Sequence, residues 1–344
     1  MAAVYYPCHT FWIYIMDNVL PVHPAAAPVP SASPPSPHSS ALPGTLELIG
    51  ETWRLLRRRK VLIGIAALAA LSPFAIGLVG GFIVGFFAVL FGLYENTFIM
   101  GVLQAVLIFV SLFVSFWSGA ALLYATAGSG EHIGAGEAYR RASKRLLSLF
   151  WIAIMTSFVV IGGLGLLIVP GILFAIWFSF SNFVLVVEDK RGLTALLTSK
   201  EYVRGLFWQI SGRYALFGLI CTAIYLAIFF AIFAPAIFFV LADPSLFWLS
   251  DVIQILISIL ITIIGAPLMT AFMYVLYASV KAHKGVVTVA PPWGQKTLYT
   301  AVGIFGVVCT LAVAVFLYTA IQERAVQDER AGQSETVTEM QWYT

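Results

Sequence analysis

Charge is the scarcest ingredient of this chain. Asp, Glu, Lys and Arg together make up 10% of its 344 residues, against about 25% in an ordinary soluble domain. No soluble fold of this length could cover its surface with so few solvating groups. Cysteine is scarce too. Cys8, Cys221 and Cys309 cannot supply a disulfide framework, and the last two fall within apolar runs, where a free thiol is a small core residue. The five histidines fall in the leader (His9, His23, His38) and in two polar connections (His132, His283), without partners at metal-ligand spacing. There is no P-loop, no G-x-S-x-G elbow, no H-E-x-x-H and no C-x-x-C. Gly162-Gly163-x-Gly165 lies in an apolar run and is no nucleotide loop. The expectation is a non-enzyme with no catalytic residue, no metal and no cofactor. The basic clusters are membrane-surface features, so no nucleic-acid partner is expected.

What is present is apolar sequence: 60% of residues are hydrophobic, with a mean hydropathy of +0.94. Spanning a bilayer takes about 20 residues at 1.5 Å rise. Stretches of that kind fall at 61–92, 98–127, 149–169, 171–187, 210–241, 250–280 and 298–321. The expected fold is all-α, a polytopic transmembrane helical bundle with a six-span core and a seventh, C-terminal span. Residues 1–43 are a leader with eight prolines between 21 and 43, disordered by composition. Residues 44–286 form the six-span domain, 287–321 a linker and the seventh span, and 322–344 a polar tail. Residues 1–15 are expected to be a gene-calling artefact if Met16 is the start.

The few charges are placed unevenly. Seventeen of the nineteen Lys and Arg residues lie in four clusters: 54–60, 140–145, 190–213 and 281–296. The alternate connections contain none. The positive-inside rule then predicts a multi-pass protein of the cytoplasmic membrane, its N-terminus cytoplasmic and its C-terminus outside. A six-span protein whose last helix does not cross is the other reading.

Three of the basic clusters sit on amphipathic segments. Thr45–Lys60 carries Leu48, Ile49, Trp53 and Leu56 on one side and Glu47, Glu51, Arg54 and Arg58 away from it. Residues 136–150 and 193–208 have the same character, at offsets of 86 and 57 residues. The core therefore reads as three units, each an interfacial helix followed by a hairpin. Common origin and convergence of basic helices explain the similarity equally well.

Residues 168–214 hold the most specific pattern. Pro170, Gly171 and Ile172 separate two apolar runs. The second run ends in Glu188, followed by Gly192, Ala195, Leu196, Ser199, Arg204, Gly205, Phe207 and Trp208. In this the chain resembles prokaryotic integral membrane proteins related to the glycerophosphoryl diester phosphodiesterase membrane domain. It departs from them at Asn182-Phe183, in its Pro-rich leader and in its seventh span. The resemblance implies a membrane fold without the catalytic part, which in such phosphodiesterases is a separate barrel of about 250 residues. Independently of the family, Pro170-Gly171 should turn the chain, and Arg204 should pair with Glu188 or Asp189 at the interface. Gly205 should let Phe207-Trp208 enter the aromatic belt. That arrangement is either a structural clamp or, with Arg191, Lys200 and Arg204, a headgroup site.

No ionisable residue lies near the middle of any span, which argues against ion-coupled transport. Gln104, Ser111, Ser115 and Ser118 share one face of span two. Ser179, Ser181 and Asn182 lie on span four, and Gln254, Ser258 and Thr262 share a face of span six. These residues are either hydrogen-bonding glue or a groove between spans two, four and six. Gly77, Gly81 and Gly85 form a small-residue stripe on span one, suited to packing within the bundle or to homodimerisation. The expected function is a non-enzymatic module that organises lipid or partner proteins at the cytoplasmic face. The expected partners are the bilayer, anionic headgroups and a membrane protein or second copy. A transporter or channel built on the polar groove is the alternative.

Overall fold

Long apolar runs without water can satisfy their backbone groups only within a helix or a closed barrel. This chain takes the first route. In the computed structural model, residues 42–92, 96–128, 133–242 and 247–287 are described, with most of 297–327. The leader, the 288–296 linker and the end of the tail lie outside the described residues. The elements are α1 Thr45–Arg58, α2 Lys60–Leu90, α3 Thr97–Ala127, α4 Ala135–Leu166 and α5 Ile168–Trp177. They continue with α6 Ser181–Glu188, α7 Gly192–Val203, α8 Phe207–Ala242 and α9 Phe247–Lys284. A shorter apolar helix, α10, covers Tyr299–Val313. No strand occurs among the described residues. Six segments are long and apolar enough to cross a membrane: Lys60–Leu90, Phe98–Ala127, Ala135–Leu166, Ile168–Glu188, Phe207–Ala231 and Val252–Lys284. The protein is an all-α, multi-pass transmembrane helical bundle.

Several elements differ from the sequence reading, each for a local reason. Residues 136–150 are not a separate interfacial helix. No Gly or Pro stands between Arg145 and Leu149, and α4 runs unbroken from Ala135 to Leu166. The turn that follows is at Leu167, which is extended (φ −163°, ψ 151°), three residues before Pro170. Pro170 sits inside the first turn of α5, where its missing N–H costs nothing. Gly171 serves close packing instead: a Cβ there would collide with Leu164. Span four is itself divided, α5 ending at Trp177 and α6 beginning at Ser181. The serines at the break bond to nearby backbone. Ser179 Oγ donates to the Ile176 carbonyl at 2.9 Å and Ser181 Oγ to that of Phe178 at 2.7 Å.

The third expected interfacial helix is among the most buried parts of the fold. Ala195 through Ser199 are all buried in α7. Ser199 Oγ donates to the Trp177 carbonyl (2.7 Å) and accepts from the Phe180 N–H (3.1 Å). α7 thus caps both sides of the break in span four, explaining why a small hydroxyl stands at that position.

Glycine packing also moves. Gly77 and Gly81 are exposed and a Cβ on either would meet nothing within 4 Å; Gly85 is half-buried. Gly80, outside the expected stripe, is the position that closes on Leu107 of α3. The closest backbone approach is between α4 and α10. A Cβ on Gly306 would strike the Phe158 carbonyl, and one on Gly162 would strike that of Val302. Val159 faces Gly303, Gly162 faces Gly306 and Gly165 faces Cys309. The numbers rise together, so α10 runs parallel to α4, towards the α4–α5 turn.

Candidate functional site

Two polar centres organise one end of the bundle. The first surrounds Glu188, whose side chain is only 6% exposed. Its Oε1 accepts from the hydroxyls of Tyr202 (α7) and Tyr277 (α9), each at 2.7 Å. Lys281 Nζ stands 3.1 Å from the same oxygen, and Lys190 Nζ 2.8 Å from Oε2. Burial first, then the bond to Glu188, push the Tyr202 hydroxyl well above the usual tyrosine range, so it remains a donor. Four groups from three segments thus converge on one carboxylate. That is a clamp joining α6, α7 and the end of α9.

Arg204 is not part of it. Its guanidinium is 76% exposed and stands 3.6 Å from Glu201 on its own helix. Gly205, in the left-handed region at φ 79°, turns the chain between α7 and α8 directly after Arg204. Asp189 pairs instead with Arg145 of α4 at 2.9 Å and, more distantly, with Arg191 at 3.9 Å. Lys200 turns inward, donating to the Tyr299 hydroxyl at 2.6 Å with its ammonium 4.8 Å from the Trp177 ring centre. Arg191, Lys200 and Arg204 therefore do not converge on a ligand. Gly192 opens α7 at φ 53°, and Trp208 is 82% exposed on the bundle surface. The clamp residues missed in the sequence are Tyr202, Tyr277, Lys190 and Lys281. Tyr277 and Lys281 do show helical i, i+4 spacing, but nothing in the sequence places that pair beside residue 188.

The second centre lies at α1. Its buried face is Leu48, Thr52 and Leu56. Thr52 joins that face by donating to the Leu48 carbonyl at 2.7 Å. Trp53 faces outward, with Arg57 over its ring at 5.3 Å. Arg213 of α8 fastens the start of α1, donating to the carbonyls of Leu42 (2.7 Å) and Pro43 (2.8 Å). At the other end Arg59 donates to the Ala125 carbonyl (2.8 Å) and, longer, to that of Thr126 (3.4 Å). The helix is fixed at both ends with its cations outward. Arg54, Arg57, Arg58 and Lys60 are exposed, and no carboxylate among the described residues pairs with them.

The other basic segments differ. Arg140 and Arg141 pair with Glu137 at 2.5 and 2.8 Å. Lys284 donates to the carbonyls of Glu201 (2.6 Å) and Arg204. Among the described residues of those segments, Lys144 alone resembles the α1 cations in being exposed without an ion pair.

A cavity of about 350 Å³ opens where α1 meets α2, lined by Arg58, Arg59, Lys60, Leu62, Ala125 and Gly134 among others. A second, of about 360 Å³, lies between α2, α3 and α9, lined by residues that include Ala66, Ala70, Phe74, Ser115, Ser118, Ser258 and Thr262. Of the residues expected to form a groove, Ser115 and Ser258 meet here. Gln104 and Gln254 are exposed, Ser111 is half-buried, and none of the three lines the cavity. Asn182 lies on α6 and is not part of it. The cavity therefore joins spans one, two and six, not two, four and six. Its hydroxyls are largely spoken for. Ser118 accepts from the Tyr139 hydroxyl at 2.9 Å, Ser258 donates to Ile255 at 3.0 Å and Thr262 to Ser258 at 2.7 Å.

Among the described residues no three His, Cys, Asp or Glu side chains gather as a metal-ligand set. Compared with protein-family models, curated proteins and solved structures, the chain finds no match.

Proposed function

We propose that the protein is a non-enzymatic module that organises anionic lipid at one face of its membrane through α1. The observation that carries this reading is the asymmetry of charge compensation. Cations on α4, α6–α7 and α9 mostly meet acids, hydroxyls or carbonyls of the chain itself. Those of α1 and its junction stand exposed beside an outward tryptophan. A basic amphipathic helix with an outward aromatic suits a headgroup layer, where each nearby cation contributes about 1 kcal/mol against an anionic surface. The distribution of Lys and Arg supports placing this face in the cytoplasm. The parallel run of α10 with α4 supports a last helix that leads away from that face.

The test is lipid selectivity. The full chain, purified from membranes containing phosphatidylglycerol and phosphatidylethanolamine, is expected to retain the anionic lipid at least tenfold in preference by native mass spectrometry. Replacing Arg54, Arg57, Arg58 and Lys60 together by Gln should bring the preference near one. Equal retention of both lipids by the unmodified protein would refute the proposal.

A further inference from the structure

The two cavities at α2 lie end to end. Leu62 and Ala125 line the basic one; Ala66 and Leu122, about one helical turn further along the same two helices, line the apolar one. From Lys60 to Phe74 the seam extends about 21 Å along α2. That is the depth of one leaflet with its headgroup layer, about 20–22 Å. The outer cavity carries Arg58 and Lys60, which pair with no carboxylate among the described residues. Arg59, tied to the Ala125 and Thr126 carbonyls, forms a fixed wall between them. The inner cleft is small-residue sequence on α2, namely Ala66, Ala69 and Ala70, faced by Gly119 of α3. Gly119, Phe74 and Thr262 are exposed, so the cleft opens sideways from the bundle. Ser118, Ser258 and Thr262 bond elsewhere in the protein, which leaves a cleft suited to hydrocarbon more than to a polar solute.

The geometry points to a seat for one anionic phospholipid, its phosphate between Arg58 and Lys60 and one acyl chain along the α2–α3–α9 cleft. This rests on the proposed lipid-organising function and goes beyond it. A surface that gathers anions needs no slot, whereas here charge and slot are adjacent, in the order that a phospholipid presents headgroup and chain. Both cavities fall within the usual range for a ligand site, about 300–1,000 Å³.

The experiment fills the slot without touching the charge. A Cβ on Gly119 would meet nothing within 4 Å, so Gly119→Leu starts in open space and adds bulk to the wall of the cleft that Gly119 lines. Purified from mixed phosphatidylglycerol and phosphatidylethanolamine, Gly119→Leu should keep its melting temperature in detergent and retain at least fivefold less phosphatidylglycerol. In a parallel arm using no substitution, phosphatidylglycerol bearing a mid-chain diazirine should label peptides within 62–74 and 115–125. Glycerol phosphate, which has the headgroup anion without the chain, should fail to displace the retained lipid. Unchanged retention in a folded Gly119→Leu, with labelling spread over other helices, would overturn the seat. Displacement by glycerol phosphate would also overturn it, leaving a headgroup pocket alone. If the unmodified protein shows no anionic preference, the broader functional reading falls as well. If that preference depends on the α1 cations but is indifferent to Gly119→Leu, only the seat falls.

Discussion

Replacing Glu188 by Gln tests whether the carboxylate clamp holds the basic end of the bundle together. The amide oxygen of Gln can still accept from the Tyr202 and Tyr277 hydroxyls, both 2.7 Å from Oε1 in the native protein. What disappears is the negative charge between Lys190 and Lys281. Hydrogen bonds to a charged group contribute about 1.5–3 kcal/mol and neutral ones about 0.5–1.5 kcal/mol, so each ammonium loses on the order of 1 kcal/mol or more. The two lysines are 21% and 27% exposed. They can recover part of that from water, which puts the net cost at about 1–2 kcal/mol. Removing the partner entirely, as in Glu188→Ala, leaves two buried hydroxyls and two cations uncompensated and should cost about 3–5 kcal/mol. For a chain of 344 residues, with an unfolding entropy of about 2.1 cal/mol/K per residue, 1–2 kcal/mol corresponds to a drop in melting temperature of about 1.5–3 °C. The assay is thermal unfolding of the detergent-solubilised protein followed by intrinsic fluorescence. Arg204→Gln is the internal control, since an exposed pair at 3.6 Å is worth about 0–1 kcal/mol. A Glu188→Gln protein that melts within 1 °C of the unmodified one, or an Arg204→Gln protein that falls as far, would refute the reasoning.

Two further substitutions probe the packing. Ser199→Ala should cost about 2–4 kcal/mol, because the Phe180 N–H and the Trp177 carbonyl both lose their partner in a buried setting; urea unfolding in mild detergent measures it, with Ser199→Thr retaining the hydroxyl. Gly306→Leu should separate α10 from α4, since even a Cβ collides with the Phe158 carbonyl, and a protease should then cleave near 297–313 at least tenfold faster. Gly81→Leu, in open space, should leave the melting temperature and protease pattern unchanged.

The sequence reading located the six long helices because hydropathy depends on composition alone, and a bilayer leaves an apolar segment no alternative to the helix. It was less successful wherever position mattered more than residue type. Pro170-Gly171 has the composition of a turn, yet Pro is equally at home in the first turn of a helix. The turn therefore fell at Leu167, which carries no such mark. Gly77 and Gly81 have ideal spacing for close packing and lie in open space, whereas Gly162 and Gly306, 144 positions apart, press backbone against backbone. Glu188 was visible as a buried-end acid, but its partners Tyr202 and Tyr277 are ordinary aromatic residues until α7 folds back and α9 returns beside it. Groups that depend on three helices meeting cannot be read from the spacing within any one of them.

The three basic segments look alike as sequence and end differently because of where acids stand relative to each. In α4, Glu137 precedes Arg140 and Arg141 by one helical turn and neutralises them within the same helix. In the 188–204 region, Glu188, Asp189 and Glu201 supply carboxylates to cations of four segments, while Lys200 of the buried α7 is met by the Tyr299 hydroxyl and the Trp177 ring. In α1 the acids are Glu47, in the first turn, and Glu51, near the middle of the helix. Glu47 complements the positive end of the macrodipole, and among the described residues no ion pair joins either acid to Arg54, one turn beyond Glu51, or to Arg57, Arg58 or Lys60 farther along. The same macrodipole favours Arg57 and Arg58 in the last turn. α1 can therefore hold them stably, unpaired and outward, on a helix bolted to α8 by Arg213 and to α3 by Arg59. Fixed cations at a membrane surface lose little freedom when an anion arrives, because the helix that carries them is already ordered. It is this preorganisation, more than the number of charges, that distinguishes α1 from the other basic segments.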